Sequence, residues 1–225
     1  MQPPNLYVTG TDTGVGKTLA SAALLHALRA RGLGAVGMKP VASGCQRTPD
    51  GWRNEDALML QAASDPRPSY EDANPYALPA PTAPQLAARE VGVEVDLETI
   101  LAAHARLAGL ADRTVVEGVG GWMAPLADGL EQYALARALD AGVVLVVGLR
   151  LGCLSHARLT ARAIQADGCR LAGWIGSAVD PAFERREAYL GLLREALPAP
   201  FMGVIPYLPD PDPAAAAAMI DSAGL

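Results

Sequence analysis

The sequence predicts an α/β fold in which a parallel β-sheet carries helices on both faces. Three observations lead there. Short apolar runs alternate along the chain with stretches of helical periodicity. The runs are apolar on consecutive residues rather than on every second one, as in strands buried on both sides by helices. The first run passes through a glycine-rich segment directly into the first helix.

Taken in order, Leu6–Gly10 reads as a buried strand and Lys17–Arg31 as the helix after it. Ala35–Val41 is a second strand, and Asn54–Ser64 a helix with Asn54 as its N-cap. Asp65–Pro84 holds six prolines and is expected to wrap the surface without regular structure. Asp96 caps a helix reaching Ala111, with Leu97, Ile100, Leu101, His104 and Leu107 along one side. Thr114–Val116 leads into Glu117-Gly118-Val119-Gly120-Gly121, a strand ending in a glycine loop. Leu130–Asp140 is a helix, Gly142–Leu149 the most apolar strand, Ser155–Asp167 a helix, Leu171–Ser177 a strand and Phe183–Ala196 a helix. Phe201–Ile205 is the last strand, followed by a short Ala-rich helix. With no repeat and no long linker, residues 1–225 are expected to form a single domain.

Composition narrows the function classes. Of 225 residues, 51% are hydrophobic and 19% charged, enough to bury a core and unlike a disordered chain. A net charge of −6 and the absence of like-charge runs argue against nucleic acid as a partner. The longest apolar run, Ala141 to Leu149, falls short of the about 20 residues of a membrane span, so no membrane role is expected. Met1 to Asn5 is too short and polar for a signal peptide. Cys45, Cys153 and Cys169 are sparse, odd in number and without metal spacing, which fits a reducing, cytoplasmic setting.

Gly10-Thr11-Asp12-Thr13-Gly14-Val15-Gly16-Lys17-Thr18 lies between the first strand and the first helix, as a phosphate-binding loop (P-loop) requires. Its small residues let N–H groups face phosphate oxygens, and the helix N-terminus adds partial positive charge. Lys17 would reach the β and γ phosphates and the Thr18 hydroxyl would meet Mg2+. Gly10 stands one place early, with Thr11 in the usual glycine position. The loop indicates nucleotide binding without separating ATPase, kinase and ligase. The fold class is therefore a P-loop NTPase-type parallel β-sheet with helices on both faces.

Other candidates sit where strands end, which is where ligands bind in such sheets. Lys39 in Lys39-Pro40-Val41-Ala42-Ser43-Gly44 follows the second strand; a lysine there is either solvated or facing negative charge. Asp56 reads equally as a helix-start charge or as a functional acid. Glu117 ends an apolar strand, where an acid is costly unless paired or bound to metal. His26 and His104 fall on helical patterns as packing or surface residues, His156 has a structural reading, Trp122 and Trp174 pack, and Cys45 has no evident base partner.

Together these segments resemble the dethiobiotin synthetase family. The matching pieces are Val8-Thr9-Gly10-Thr11-Asp12-Thr13 with Val15-Gly16-Lys17-Thr18, the Lys39–Gly44 segment, Asn74-Pro75-Tyr76 with Pro81-Thr82, Val116–Trp122, Leu151-Gly152-Cys153 with His156, Ala172-Gly173-Trp174 and Gly203-Val204-Ile205-Pro206. The early glycine is shared with that family. The resemblance implies ring closure of 7,8-diaminononanoate with CO2 or bicarbonate and ATP, through a carbamate and a carbamic-phosphoric anhydride, in biotin biosynthesis. It assigns catalysis to Lys39, Lys17 and Thr13. It assigns nucleotide contacts to Gly14, Val15, Gly16, Lys17, Thr18, Leu19, Asp56, Glu117, Gly118, Val119, Gly120, Ser177, Pro206, Tyr207 and Leu208. Thr18, Asp56 and Glu117 would hold Mg2+. Ser43, Thr13, Pro81, Gly152, Ser155 and Tyr189 would bind the diamine, with Tyr189 and the Gly152 to Ser155 turn coming from the partner in a homodimer.

Three positions depart from that pattern. Gly14 stands where some relatives have Glu, Ser155 where some have Asn, and Ser177 where an Asn reads adenine in some members. A hydroxyl cannot replace a bidentate amide, so base selectivity is expected to loosen. The alternative reading is a dimeric switch ATPase of the partitioning or positioning type. It carries a signature lysine where this chain has Asp12, and no basic or amphipathic tail is visible here. An amide ligase of cobalamin synthesis would need a glutaminase domain for which there is no room.

Overall fold

A computed structural model of the chain describes residues 5–225. In chain order the elements are β1 (Asn5–Gly10), α1 (Lys17–Ala30), β2 (Ala35–Met38), β3 (Val41–Ala42), β4 (Gln46–Thr48), β5 (Gly51–Arg53), α2 (Glu55–Ala63) and α3 (Tyr70–Ala73). Then follow β6 (Tyr76–Ala77), α4 (Pro84–Val91), α5 (Leu97–Ala108), β7 (Arg113–Gly121), α6 (Gln132–Ala138), β8 (Gly142–Gly148), α7 (Cys153–Ala166), β9 (Arg170–Ser177), α8 (Arg186–Ala196), β10 (Phe201–Ile205) and α9 (Pro213–Ala217).

Six strands form one sheet in the order β10-β9-β8-β1-β7-β2, and every neighbouring pair is parallel. All six carboxyl ends therefore share one edge. Side chains alternate across the sheet as the period of 2 demands. Leu6 and Val8 face one core and Tyr7 the other; on β8, Val144 and Val146 face the first and Val143, Leu145 and Val147 the second. The first core lies under α1, α2 and α9 through Leu24, Leu28, Leu60 and Ala216. The second lies under α4 to α8 through Ala87, Ile100, Leu135, Ala161 and Leu190. Both faces are thus covered by helices, as the double-sided apolar pattern required.

Asn54 caps α2 by accepting the Ala57 N–H at 3.2 Å, and Asp96 caps α5 by accepting the Thr99 N–H at 2.8 Å, as their positions predicted.

Several boundaries differ from expectation. The second strand stops at Met38 instead of running to Val41, because Pro40 lacks an N–H to continue the ladder; Val41 and Ala42 pair instead with Tyr76 and Ala77. The segment 65–84 is not wholly irregular: α3, capped by Ser69, and β6 lie within it. The β4–β5 hairpin and α4 were not anticipated at all. Pro49-Asp50-Gly51 is a turn signature, and Pro84 at the first turn with Gly92 after the last is a helix frame, so both had readable signals. The helix after β8 starts at Cys153, two residues before Ser155, because Gly152 adopts φ 96° and serves as N-cap.

His104 is buried in the second core on α5, with Nε2 2.9 Å from the Thr114 hydroxyl. That hydroxyl donates to Asn5 Oδ1 at 2.8 Å, so the imidazole must be the donor and carry its proton on Nε2. Burial lowers the His104 pKa below its ordinary 6.5. Its contribution to stability is complete above pH 6.5 and is lost as pH falls from there through the folded value, since the unfolded chain takes the proton first. Between about pH 7.5 and about pH 5 the parent protein is expected to lose more of its melting temperature than His104→Gln does. Equal acid losses in the two proteins would refute this.

Candidate active site

The loop after β1 owes its shape to hydrocarbon packing. Val15 is buried and fills the space where a Cβ on Gly10 or Gly148 would fall, 2.6 and 2.8 Å from its methyl groups. The early glycine at position 10 is therefore demanded by Val15, which leaves Thr11 free to occupy the usual glycine place. Gly16 has φ 83° and caps α1 without any side-chain acceptor, and a Cβ there would meet the Ser177 hydroxyl at 2.6 Å. The open N–H groups at this helix start, with the dipole behind them, suit an anion. The Lys17 ammonium donates to the Asp12 carbonyl at 3.0 Å. Burial, then the charge of Lys39, pushes its pKa down to about 8. Asp12 also pairs with Arg150 at 2.5 Å, tying the loop to the exit of β8.

Lys39 leaves the sheet where β2 ends and turns its side chain, 6% exposed, toward β7. Its Nζ lies 2.6 Å from Glu117 Oε1 and 3.3 Å from Asp56 Oδ2, and donates to the Gly118 carbonyl at 3.1 Å. Burial opposes the Lys39 charge, but Glu117 and Asp56 outweigh it and hold the pKa above the usual ammonium value. Burial likewise opposes the Asp56 carboxylate, yet Lys39, Thr18 and Lys17 keep its pKa below the usual range. At Glu117, burial dominates over Lys39 and raises the pKa.

The Thr18 hydroxyl donates to Glu117 Oε1 at 3.1 Å, while Glu117 Oε2 is buried with no hydrogen-bond partner among the described residues. A buried orphan carboxylate oxygen beside a hydroxyl and a second carboxylate is a donor set for a hard cation, whose remaining positions phosphate and water oxygens would fill.

These groups surround a cavity of about 840 Å3 at the carboxyl edge. Thr13, Gly14, Gly16, Lys17 and Thr18 line it from the phosphate loop, Lys39, Ser43 and Asp56 from the β2 side, and Glu117, Val119 and Gly120 from β7. Pro81 lies on its rim with Thr82, Ala83 and Pro84. Thr82, quoted above only within the family's Pro81-Thr82 piece, Ala83, Pro84, Asn54, Ala124 and Pro125 were not expected in the site; Ala83 and Pro84 were missed together with α4. Arg150 was missed too, and nothing in the sequence marks it as Asp12's partner.

A protein family described as an AAA domain matches residues 4–215. The ATP-dependent dethiobiotin synthetase BioD of Xanthomonas oryzae pv. oryzae (strain PXO99A) is 64% identical over 96% of this chain and 97% of its own length. That of Xylella fastidiosa (strain 9a5c) is 61% identical over 90% of each. The chain belongs to the ATP-dependent dethiobiotin synthetase family. Among solved structures, the MinC:MinD cell division protein complex of Aquifex aeolicus aligns with TM-score 0.55 at 16% identity, over 91% of this chain and 82% of that one. The signal recognition particle receptor FtsY of Elizabethkingia anophelis aligns with TM-score 0.50 at 15% identity, over 95% of this chain and 59% of that one. These two likenesses concern the fold alone.

The family's other expected site residues distribute as follows. Val15 and Leu19 direct their side chains into the first core, leaving only their backbone for a nucleotide. Ser177 ends β9 beside the loop, and Pro206, Tyr207 and Leu208 follow β10 next to it. Gly152, Ser155 and Tyr189 lie outside the cavity; Ser155 is exposed on α7, and Tyr189 packs edge-on against Phe183, ring centres 4.8 Å apart.

The wall formed by residues 119–124 is pinned by Gln132, which is fully buried. Its Nε2 lies 2.6, 2.7 and 2.9 Å from the carbonyls of Gly121, Ala124 and Val119, and its Oε1 accepts the Tyr7 hydroxyl at 3.0 Å. Burial, aided by Glu117, pushes the Tyr7 pKa far up, so this phenol is a neutral donor. Gln132→Leu keeps the bulk and abandons these partners. It is expected to cost about 2–4 kcal/mol in urea unfolding, since the buried Tyr7 hydroxyl left unpaired costs roughly 1–3 kcal/mol and the part-buried carbonyls at the cavity wall recover most of their loss from water. An unchanged unfolding midpoint would refute the pinning role.

Proposed function

We propose that this chain, an ATP-dependent ligase of biotin biosynthesis, closes the ureido ring of dethiobiotin from 7,8-diaminononanoate, CO2 or bicarbonate, and ATP. The observation that carries this reading is the second lysine. A phosphate loop alone needs only Lys17, whereas Lys39 is a buried ammonium, held charged by Glu117 and Asp56, on the same cavity. Two cations converging there suit a reaction in which an anionic nucleophile meets an anionic phosphoryl group.

In this reading one amine of the substrate takes up CO2 and becomes a carbamate. A carbamate oxygen attacks the γ-phosphorus of ATP, ADP departs, and a carbamic-phosphoric anhydride remains. The second amine attacks the carbamoyl carbon, phosphate leaves, and the ring closes with loss of protons to solvent. Lys17 offsets charge on the β and γ phosphates, and Lys39 offsets charge on the carbamate and the group in transfer. Thr13 and Ser43 orient the diamine, with Pro81 bordering its chain. Thr18, Asp56 and Glu117 would hold Mg2+, which when bound would supply positive charge to offset that of the phosphates.

Strand order supports an arrangement across the edge. Ser177 and Pro206–Leu208 lie on the β9–β10 side for the base, the loop after β1 is central for the phosphates, and Lys39 and Ser43 lie on the β2 side for the diamine. The distant Gly152, Ser155 and Tyr189 act, in this reading, on the substrate tail from the partner of a homodimer. Leu151, beside Gly152, and Leu159, one helical turn after Ser155, are 80% and 62% accessible and favour such a contact. The whole chain is read as one domain acting in the cytoplasm, a reading supported by its three free thiols; no helix among the described residues is long and apolar enough to cross a membrane. In this reading neither nucleic acid nor a membrane is a partner, as the net charge of −6 without basic runs suggests. The switch-ATPase alternative is not favoured, since relatives 64% identical over nearly the whole chain are named dethiobiotin synthetases and Asp12 stands where the sequence of a switch ATPase is expected to carry lysine.

With ATP and bicarbonate present, phosphate release is expected only when the diamine is added, and Lys39→Ala is expected to lower that rate by about 100-fold or more. Release without the diamine, or full speed in Lys39→Ala, would refute the reading. Comparing ATP, GTP and CTP at matched concentrations should show turnover with more than one base, because Ser177 offers one hydroxyl. Strict dependence on ATP would count against that role for Ser177.

A further inference from the structure

The Asn74-Pro75-Tyr76 segment has no part in the chemistry above, yet Asn74 is 3% exposed and its amide is fully used. Nδ2 donates to the Lys39 carbonyl at 2.6 Å and to the Tyr76 carbonyl at 3.2 Å. Oδ1 accepts the Tyr70 hydroxyl at 2.9 Å, and that hydroxyl oxygen accepts the Asn54 N–H at 2.8 Å. Only the amide nitrogen can serve two carbonyls, so the orientation of Asn74 and the direction of the Tyr70 proton are both fixed. The Lys39 N–H donates to the Ala73 carbonyl at 2.7 Å. Both main-chain groups of Lys39 are thus held by residues 73 and 74, at the point where β2 has left the sheet and no ladder holds them.

Asn54 is the N-cap of α2, two residues before Asp56. Lys39 is therefore joined to the start of α2 twice. Its ammonium pairs with Asp56 at 3.3 Å, and its backbone reaches the same helix end through Asn74 and Tyr70. The Arg53 guanidinium, 4.0 Å above the Tyr70 ring, braces the middle of this chain.

We propose that Asn74 and Tyr70 are positioning residues: through Asn54 they set the separation between the Lys39 ammonium and the Asp56 carboxylate, and with it the placement of Lys39 on the group being transferred. This rests on the role given to Lys39 above. The sensitivity expected is high, since a displacement of about 1 Å in such a site costs about 100-fold in rate.

The test is steady-state turnover of the full chain, with ATP, bicarbonate and the diamine, for Tyr70→Phe, Asn74→Ser and Lys39→Ala. Tyr70→Phe keeps the ring under Arg53 and is expected to lower kcat about 3- to 10-fold; Asn74→Ser is expected to lower it about 10- to 100-fold. The KM for ATP should change by less than kcat in both, because Lys17 and the N–H groups of the phosphate loop are untouched. The proposal is overturned if kcat per folded molecule is unchanged while only the melting temperature falls, or if kcat and the KM for ATP move in parallel. Should Asn74→Ser fail to fold, Tyr70→Phe decides alone. Lys39→Ala separates the two possible failures. Full speed in Lys39→Ala removes the role of Lys39 and this proposal with it. A slow Lys39→Ala beside normal Tyr70→Phe and Asn74→Ser removes the positioning chain alone.

Discussion

The structure is organised around one costly contact, the ammonium of Lys39 against the carboxylate of Glu117 at 2.6 Å with both side chains out of water. Bringing two such charges out of solvent is seldom stabilising in itself, and an apolar pair of similar volume would hold the fold at least as well. A second carboxylate, a threonine hydroxyl and a backbone carbonyl are all spent on this pair. Their common effect is to keep a charged lysine at a fixed place beside the phosphate loop. The sheet serves that end by presenting β1, β7 and β2 as neighbours whose carboxyl ends bring loop, acid and lysine together.

The division of the molecule into two cores has a matching logic. The core under α1, α2 and α9 contains the side chains that shape the phosphate loop, Val15 above all. The core under α4 to α8 supports the opposite wall, where Tyr7 reaches through to Gln132 and so to the carbonyls of the glycine strand. The two sides of the cavity are thus braced from different faces of one sheet, and β1 contributes to both through alternate residues.

Much of this was legible in the sequence. Parallel strands were readable because runs such as Val143–Val147 have no polar alternation, and the phosphate loop because small residues, Lys17 and Thr18 coincide with a strand-to-helix junction. Caps at Asn54 and Asp96 were readable because local chemistry decides them. What escaped reading depends on distant contacts. That Lys39 is buried follows only once β2 and β7 are neighbours. The reason for glycine at position 10 is a valine five residues on, and the value of Gln132 lies in carbonyls that fold back upon it. Asp56 was ambiguous for the same reason, since only once Lys39 is placed before it does a helix-start charge become one side of an ion pair on the cavity. The hairpin and α4 were misjudged for a different cause: their turn and cap residues were visible but lay in proline-rich or short stretches with weak periodicity.

The plug formed by Val15 beneath Gly10 and Gly148 links the gripping loop to the hydrocarbon interior. The concavity that receives triphosphate is moulded by the same oily contacts that keep the sheet covered, so it exists before any ligand arrives. Warming or denaturant cannot slacken that concavity while leaving the interior intact. Capture of nucleotide and retention of the native state should consequently fade together, with no broad interval in which a well-folded molecule has lost its grip.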